Sequence, residues 1–254
     1  MDSSNSKEVE VILKVVGIIV AGGVGKRVFG DLAAEGKGDL PKQFLTLGEK
    51  PVLTHTIDKF EKCELIDEII LVVPEDYMGY CSQTIVDKHS FKKVKKIVCG
   101  GKERQDSVYL GLKACSNNTD IVAIHDGVRP LIAPEKISDL IKSCYQKKAV
   151  ILAIPVKDTI KRVEGGSVIT TLDREKLWLI QTPQVFQYKL ILDAYEKANE
   201  DGFSGTDDSV LVERLGHEVA IIEGEYENIK ITTAEDFAMA EAFLEKKKKR
   251  GANS

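Results

Sequence analysis

The sequence predicts an α/β protein built on a mostly parallel sheet with helices on both faces, and three observations carry that reading. Short β-branched runs alternate with helix-length amphipathic segments, as successive βαβ units require. The strand runs are near-continuously apolar, the mark of strands covered on both faces. The 254 residues, 43% hydrophobic and 30% charged, suit one globular domain with a full core. Disordered and fibrous classes are excluded by the same composition.

The first strand is read at Val15-Val-Gly-Ile-Ile-Val20, and further strands at 69–73, 94–98, 121–124 and 150–154. Between them Leu53/Ile57/Phe60, Val108/Leu112/Cys115 and Ile137/Leu140/Ile141/Cys144 recur at helical spacing, so each triplet or quartet marks a core-facing helix stripe. From Pro155 to Leu177 the pattern turns polar, with Lys157, Asp158, Lys161, Arg162, Glu164, Gly165 and Gly166 between short apolar pieces. This reads as a hairpin arm, at about 155–177, that leaves the sheet and packs on something outside its own core. Thr206-Asp-Asp-Ser is expected to open one late helix with an N-cap hydroxyl and two first-turn carboxylates. Thr233-Ala-Glu-Asp236 is expected to open the last one with a capping box. The run Lys246–Arg250 is read as that helix continuing into solvent, its cations complementing the negative end. With no internal repeat and no linker, residues 1–254 are expected to form one Rossmann-like domain with the arm and a basic tail at about 246–254.

The net charge of −4 conceals an asymmetry. The tail holds five of the 36 basic residues, so the body has 31 against 40 acidic ones, net −9. A duplex-wrapping protein needs a basic excess, so nucleic acid is excluded as a partner and any bound polyanion must be small. The five cysteines, Cys63, Cys81, Cys99, Cys115 and Cys144, are widely spaced with no C-x-x-C pair, so buried reduced thiols are expected instead of a disulfide framework or zinc site. The early apolar stretch 15–21 is too short to span a bilayer. These readings together describe a cytoplasmic protein with no signal peptide and no membrane association.

The first strand runs directly into Ala21-Gly22-Gly23-Val24-Gly25-Lys26-Arg27. Glycines at a strand's carboxyl end let backbone N–H groups approach an anion or base edge, at the place where open α/β sheets bind ligands. Gly23-x-Gly25 lacks the third glycine of the dinucleotide fingerprint, and no Gly-Lys-Ser/Thr closes a P-loop. Arg27 follows at once and Pro41-Lys42-Gln43 somewhat later, and such cations suit a triphosphate. Ile124-His125-Asp126-Gly-Val-Arg129-Pro130 also ends a strand, so Asp126 and Arg129 should face the same crevice, unless they simply pair with each other. His125 is read as a buried structural histidine. His55, His89 and His217 lie in no recognised triad or metal arrangement. Ser107 is either a helix N-cap or a ligand contact. Arg104 either pairs with Glu103 or Asp106 or touches a ligand.

Gly22-Gly-x-Gly-x-Arg27, Pro41-Lys-Gln43, Gly100-Gly-x-x-Arg104-x-x-Ser107, His125-Asp-x-x-Arg129, Asp158-Thr159, Asp173-Arg174, Thr182-Pro-Gln184, Thr206-Asp-Asp and Asn228-Ile-Lys230 occur in this order. This ordered set, spanning roughly residues 15 to 245, resembles the 2-C-methyl-D-erythritol 4-phosphate cytidylyltransferases. The related ribitol-phosphate cytidylyltransferases share several of the motifs. The resemblance implies that Arg27, Lys42 and Lys230 surround the α-phosphate of CTP as catalytic cations, with Lys26 peripheral. It implies cytosine selection by main-chain groups around Ala21, Gly22, Gly23 and Gly25 and by Gly100 and Ser107. It assigns polyol phosphate binding to Asp126, Arg129, Thr159, Arg174, Thr182 and Thr206, although Thr206 is equally a helix cap. It implies Mg²⁺ bridged mainly by the CTP phosphates, with Asp126 a candidate to assist. It also implies a homodimer in which the arm carries Thr159 and Arg174 into the neighbour's site. The segment 28–40 is longer than the family's usual connection and is expected to be mobile without CTP. Cytidylyl transfer to methylerythritol phosphate, transfer to ribitol phosphate, and a non-catalytic nucleotide-binding module therefore stand as the competing functions, with a dinucleotide-dependent oxidoreductase disfavoured by the failed fingerprint.

Overall fold

The computed structural model describes residues 13–23 and 40–251. The strands are β1 (Val15–Val20), β2 (Thr46–Leu47), β3 (Lys50–Pro51), β4 (Glu68–Val73), β5 (Val94–Cys99), β6 (Ile121–Asp126), β7 (Ala149–Pro155), β8 (Lys161–Glu164), β9 (Ser167–Thr171), β10 (Trp178–Gln187) and β11 (Ala220–Glu223). The helices are α1 (Val52–Lys62), α2 (Met78–Tyr80, continued by a π-helical stretch Cys81–Asp87), α3 (Arg104–Ala114), α4 (Pro134–Lys147), α5 (Tyr188–Glu200), α6 (Ser209–Arg214) and α7 (Ala234–Gly251). Seven strands form the central sheet in the order β11-β7-β10-β6-β1-β4-β5. All run parallel except β10, which is antiparallel to both β6 and β7.

The double-sided burial expected of the strands is present. Ile19, Ile69, Leu71 and Val73 point to one face, where the stripes of α1 and α4 cover them. Ile18, Val20, Ile70 and Val72 point to the other, beneath Val108 and Leu112 of α3 and Ile191, Ala194 and Tyr195 of α5. The two-residue period of a strand thus divides one apolar run between two cores. A third cluster, with Leu45, Leu47, Val128, Leu131 and Ile231, lies under α7. Gly111 lets α3 approach the sheet, since a Cβ there would stand 2.6 Å from Ile18 Cγ2.

Four local expectations need correction. The strand at 94–98 is not buried on both faces: β5 is the sheet edge, and Lys95 and Lys96 are exposed. Cys99 at its end is exposed as well, whereas the other four thiols are buried. Thr206 does not cap α6, which begins three residues later at Ser209, where Asp207 accepts the Val210 N–H at 3.1 Å. The basic tail does not simply project into solvent. Because α7 packs its apolar side on the third cluster, Lys246 reaches Glu227 at 3.2 Å and Lys247 donates to the Leu131 carbonyl at 3.0 Å. The capping box of α7 is present: Asp236 accepts the Thr233 N–H at 2.8 Å and Thr233 Oγ1 accepts the Asp236 N–H at 3.2 Å.

The polar hairpin leaves β7 at Pro155, forms the β8–β9 ribbon, and returns through a 3₁₀ turn to Trp178 opposite Pro155. Every residue of the ribbon is exposed. No helix of the described residues is long and apolar enough to cross a membrane.

Candidate functional site

Parallel register brings the carboxyl ends of β1, β4 and β6 together, with Val20 opposite both Val72 and Asp126. The chain turns sharply there. Ala21 donates its N–H to Val72 O at 2.7 Å, and Gly127 donates to Val20 O at 2.8 Å. Gly22 and Gly100 face each other so closely that a Cβ on Gly100 would lie 3.2 Å from the Gly22 Cα. Ser107 closes the same contact, its Oγ accepting the Gly101 N–H and donating to the Glu103 carbonyl, each at 3.0 Å. Ser107 is therefore not the helix cap. That position belongs to Glu103, which forms a capping box with Asp106.

Gln43 holds the turn from the opposite side. It is buried, and its amide donates to Ala21 O at 2.7 Å and Gly23 O at 2.9 Å. Its backbone lies in a 3₁₀ turn, Lys42–Phe44, whose Phe44 ring stacks on Tyr77 at 4.7 Å. Around this turn is a cavity of about 240 Å³ lined by Ala21, Gly22, Gly23, Lys42, Ser107 and Lys230, among others. A second cavity of about 500 Å³ adjoins it, lined by Arg129, Thr182, Thr206 and residues of β10 and α6. Arg104, Asp126 and Lys230 line both.

Asp126 is the electrostatic centre of that junction. Its Oδ1 accepts from Arg104 Nε at 2.8 Å, and its Oδ2 lies 2.9 Å from Lys230 Nζ and 3.7 Å from Arg129 Nε. Burial would raise its pKa, but Arg104, Lys230 and Arg129 together hold the carboxyl far below the usual carboxylate range. Arg104 pairs with neither Glu103 nor Asp106, as the sequence had suggested it might. Its partners are Asp126 and the fully buried Asp208, which takes Nη1 and Nη2 at 2.8 Å each. Those two carboxylates keep the guanidinium charged against the pull of burial. Lys42 has its pKa lowered, first by burial and then by the nearby Lys230 charge. Asp126 and Arg129 do share the crevice, yet their pair is too long for a hydrogen bond, and Arg129 instead donates to the Asn228 carbonyl at 2.8 Å.

His125 is fully buried and burial pushes its pKa down to about 4. The carbonyl of Arg129, 3.2 Å from Nε2, can only accept, so the proton of the neutral ring sits on Nε2. Nδ1 then accepts from the Thr182 hydroxyl at 3.0 Å, and that hydroxyl accepts the Asp126 N–H at 3.0 Å. The Thr182 proton is thereby committed inside the protein. Thr182 lines the larger cavity, and the bond its hydroxyl makes within the protein fixes the Asp126 backbone.

The structure thus brings Ala21, Gly22, Gly23, Gly100, Ser107, Lys42, Asp126, Arg129 and Lys230 to one crevice, with Thr206 at its rim. Thr159 and Arg174 lie on the arm and line neither cavity; Arg174 donates to the Lys157 carbonyl at 3.0 Å. Gly25, Lys26, Arg27 and the long segment as far as residue 39 lie outside the described residues. Gln43, Asp208 and the amide pair Gln181–Asn228, joined at 3.0 Å, were not singled out from sequence. For Gln43, Asp208 and Asn228 the available signal was their place in the motifs of Lys42, Thr206 and Lys230; Gln181 lies just outside the Thr182 motif.

A glycine turn at the carboxyl edge of a parallel sheet, with converging cations and a second polar cavity beside it, defines a protein that binds a phosphorylated ligand next to another polar molecule. Residues 15–246 match the family model of 2-C-methyl-D-erythritol 4-phosphate cytidylyltransferase. Curated relatives of that name include one from Clostridioides difficile, 46% identical over 93% of this chain and 96% of the relative, and one from Caldanaerobacter subterraneus subsp. tengcongensis, 47% identical over 92% and 100%. Among solved structures, the 4-diphosphocytidyl-2C-methyl-D-erythritol synthase of Anaerococcus prevotii superposes with a TM-score of 0.79 at 35% identity, covering 92% of this chain and 97% of that one. The chain belongs to the 2-C-methyl-D-erythritol 4-phosphate cytidylyltransferase family, a family of nucleotidyltransferases.

Proposed function

We propose that the protein transfers the cytidylyl group of CTP to 2-C-methyl-D-erythritol 4-phosphate, releasing pyrophosphate and forming 4-diphosphocytidyl-2-C-methyl-D-erythritol for isoprenoid biosynthesis in the cytoplasm. The observation that carries this reading is the pair of cavities meeting at Arg104, Asp126 and Lys230, one beside the glycine turn and one beneath β10 and α6. The glycine-turn cavity takes the nucleotide and the larger one the polyol phosphate. A phosphate oxygen of the polyol attacks the α-phosphorus of CTP, a new P–O bond forms, and the bond to the bridging oxygen of pyrophosphate breaks. Such transfer is governed by positioning and charge stabilisation. Lys42 and Lys230, with Arg27 by family resemblance, offset the charge that builds on the α-phosphate. Loss of one should cost about 3 kcal/mol in the barrier, the scale of a missing preorganised donor.

Magnesium fits this arrangement as an ion carried by the triphosphate. Asp126 alone is ill-suited to hold it, because both its oxygens already face cations at 2.8 and 2.9 Å. Mg²⁺ commonly keeps its waters and binds through substrate phosphates with little protein ligation. When bound it would neutralise triphosphate oxygens.

The arm supports a homodimer. Val163 and Val168, paired across the ribbon, are 53% and 57% exposed, an apolar pair that a second subunit would cover. Thr159 and Arg174 would then bind the substrate phosphate in the neighbour's site, where the planar guanidinium matches phosphate oxygens. The family name of the relatives favours methylerythritol phosphate over ribitol phosphate, and the intact cation set favours catalysis over a binding module. Pyrophosphate release with CTP and each polyol phosphate tests the function. Lys42→Ala should be folded and nearly inactive, whereas near-normal turnover would reject its assignment. Mixing inactive Lys42→Ala with inactive Arg174→Ala should restore activity by forming mixed dimers with one intact site. No recovery would argue against sites completed in trans.

A further inference from the structure

We propose that Asp208 is a positioning residue for nucleotidyl transfer: it fixes the Arg104 guanidinium at the junction of the two cavities. The proposal rests on the functional reading above and deepens it. Asp208 has no solvent exposure, and a buried carboxylate is costly unless it is paired. Its pairing is specific. Oδ1 and Oδ2 receive Nη1 and Nη2 of Arg104 at 2.8 Å each, a bidentate fork, and Tyr195 donates its hydroxyl to Oδ1 at 2.5 Å. Tyr195 is itself 1% exposed, on the buried face of α5.

The third constraint on Arg104 comes from Asp126, which takes Nε at 2.8 Å. Three of the five guanidinium N–H groups are therefore spent on two carboxylates, and the plane of the group is fixed. The remaining two, one on each Nη, point to opposite edges of the group and are left for separate ligand oxygens in the cavities that Arg104 lines. Asp208 touches neither cavity, so it acts through Arg104 and not on substrate.

The position of Asp208 in the chain adds a second consequence. It precedes α6, and the flanking Thr206, Asp207 and Ser209 line the polyol cavity. Gln184 of β10 grips this turn, donating Nε2 to Asp207 at 2.8 Å and accepting the Ser209 N–H at 3.0 Å. The Arg104–Asp208 fork therefore ties the wall of the polyol cavity to a residue at the nucleotide cavity. Without the Asp208 charge, Arg104 would turn toward Asp126 and compete there with Lys230.

The experiment is a double-mutant cycle on pyrophosphate release, with wild type, Arg104→Ala, Asp208→Asn and the double variant, each at saturating polyol phosphate over a range of CTP. Asp208→Asn should lower kcat/KM for CTP on the order of 10²-fold, as a displaced positioning group does. In the Arg104→Ala background it should cost little more, within about threefold of Arg104→Ala alone, because coupled residues are not additive. Wild-type kinetics for Asp208→Asn, or its full penalty in the Arg104→Ala background, would overturn the proposal. If Asp208→Asn fails to fold by circular dichroism, Tyr195→Phe is read instead: it keeps the carboxylate but removes one of the two donors on Oδ1, and it should raise KM for CTP severalfold with kcat less affected. An unchanged KM there would overturn the proposal too. If wild type turns over neither polyol phosphate, the functional reading fails, and CTP affinity of the same proteins by calorimetry then decides the Asp208 role. Weaker CTP binding by Asp208→Asn than by wild type supports it, and equal affinity, or no CTP binding by wild type, overturns it.

Discussion

Gln43→Met tests whether one buried amide shapes the glycine turn. Methionine keeps the length and flexibility of the side chain but removes both N–H donors. The Ala21 carbonyl, in a residue only 5% exposed, loses its 2.7 Å partner, whereas Gly23 is exposed and water can replace the 2.9 Å bond. An orphaned buried carbonyl costs about 1–3 kcal/mol, and the solvated one little. For a chain of this size, about 2 kcal/mol should lower Tm by roughly 4–8 °C. The loss should fall on nucleotide binding as well, because the turn that approaches the base would be held only through Ala21 N–H to Val72 and the Gly22–Gly100 contact. Thermal melting with and without CTP, together with CTP titrations of pyrophosphate release, reads both effects. We expect a lower Tm, a raised KM for CTP and a smaller change in kcat. A variant with wild-type Tm and wild-type KM would refute the reasoning, since the two hydrogen bonds would then contribute nothing.

Two further predictions concern stability. His125 has a folded pKa of about 4 against an ordinary value near 6.5. The unfolded chain therefore binds more protons between those values, and stability should be full above pH 6.5 and fall by up to about 3 kcal/mol as pH drops toward 4. Urea denaturation at stepped pH, with the His125 ring followed by NMR, checks this; a midpoint near 6.5 would contradict the buried neutral ring. Gly111→Ala should destabilise although alanine favours helix by about 1 kcal/mol. Its Cβ would stand 2.6 Å from Ile18 Cγ2 and 3.1 Å from Val72 Cγ2, and overpacking of that kind costs about 1–3 kcal/mol. A denaturation midpoint at or above wild type would show that α3 has room to move.

The sheet was legible because burial on both faces leaves an uninterrupted apolar run, as in β1, β4, β6 and β7. The same cue misled at β5, where Val94, Ile97 and Val98 resemble a core strand while Lys95 and Lys96 reveal an edge only once its neighbour is known. The helical stretch from Met78 to Asp87 left no clear stripe, since Cys81 and Ile85 are its only fully buried residues. In the site, strand ends and glycines located the crevice, because those features are local in sequence. Pairing was not legible. Arg104 finds its carboxylates 22 and 104 residues away, and nearby Glu103 and Asp106 are instead spent on the helix cap. Thr182 carried no mark that its hydroxyl would be used between His125 and Asp126.

These long-range pairs explain how an acidic chain assembles a cationic crevice. Arg104, Arg129 and Lys230 would repel one another if gathered without a counter-ion, and Lys42, whose pKa is lowered first by burial, is lowered further by the Lys230 charge. Asp126 relieves the repulsion from the centre, and Asp208 neutralises Arg104 from behind. Because Asp126 stays ionised far below neutrality, its offset of the surrounding cations does not vary across working pH. The cavity beside the glycine turn, lined by Lys42, Lys102, Arg104 and Lys230 against Glu103 and Asp126, is left positive while the body as a whole is negative. That contrast focuses the field at the crevice and disfavours extended polyanions elsewhere on the surface. A triphosphate therefore meets cations already held in place, and the ordering cost of gathering them was met when the protein folded.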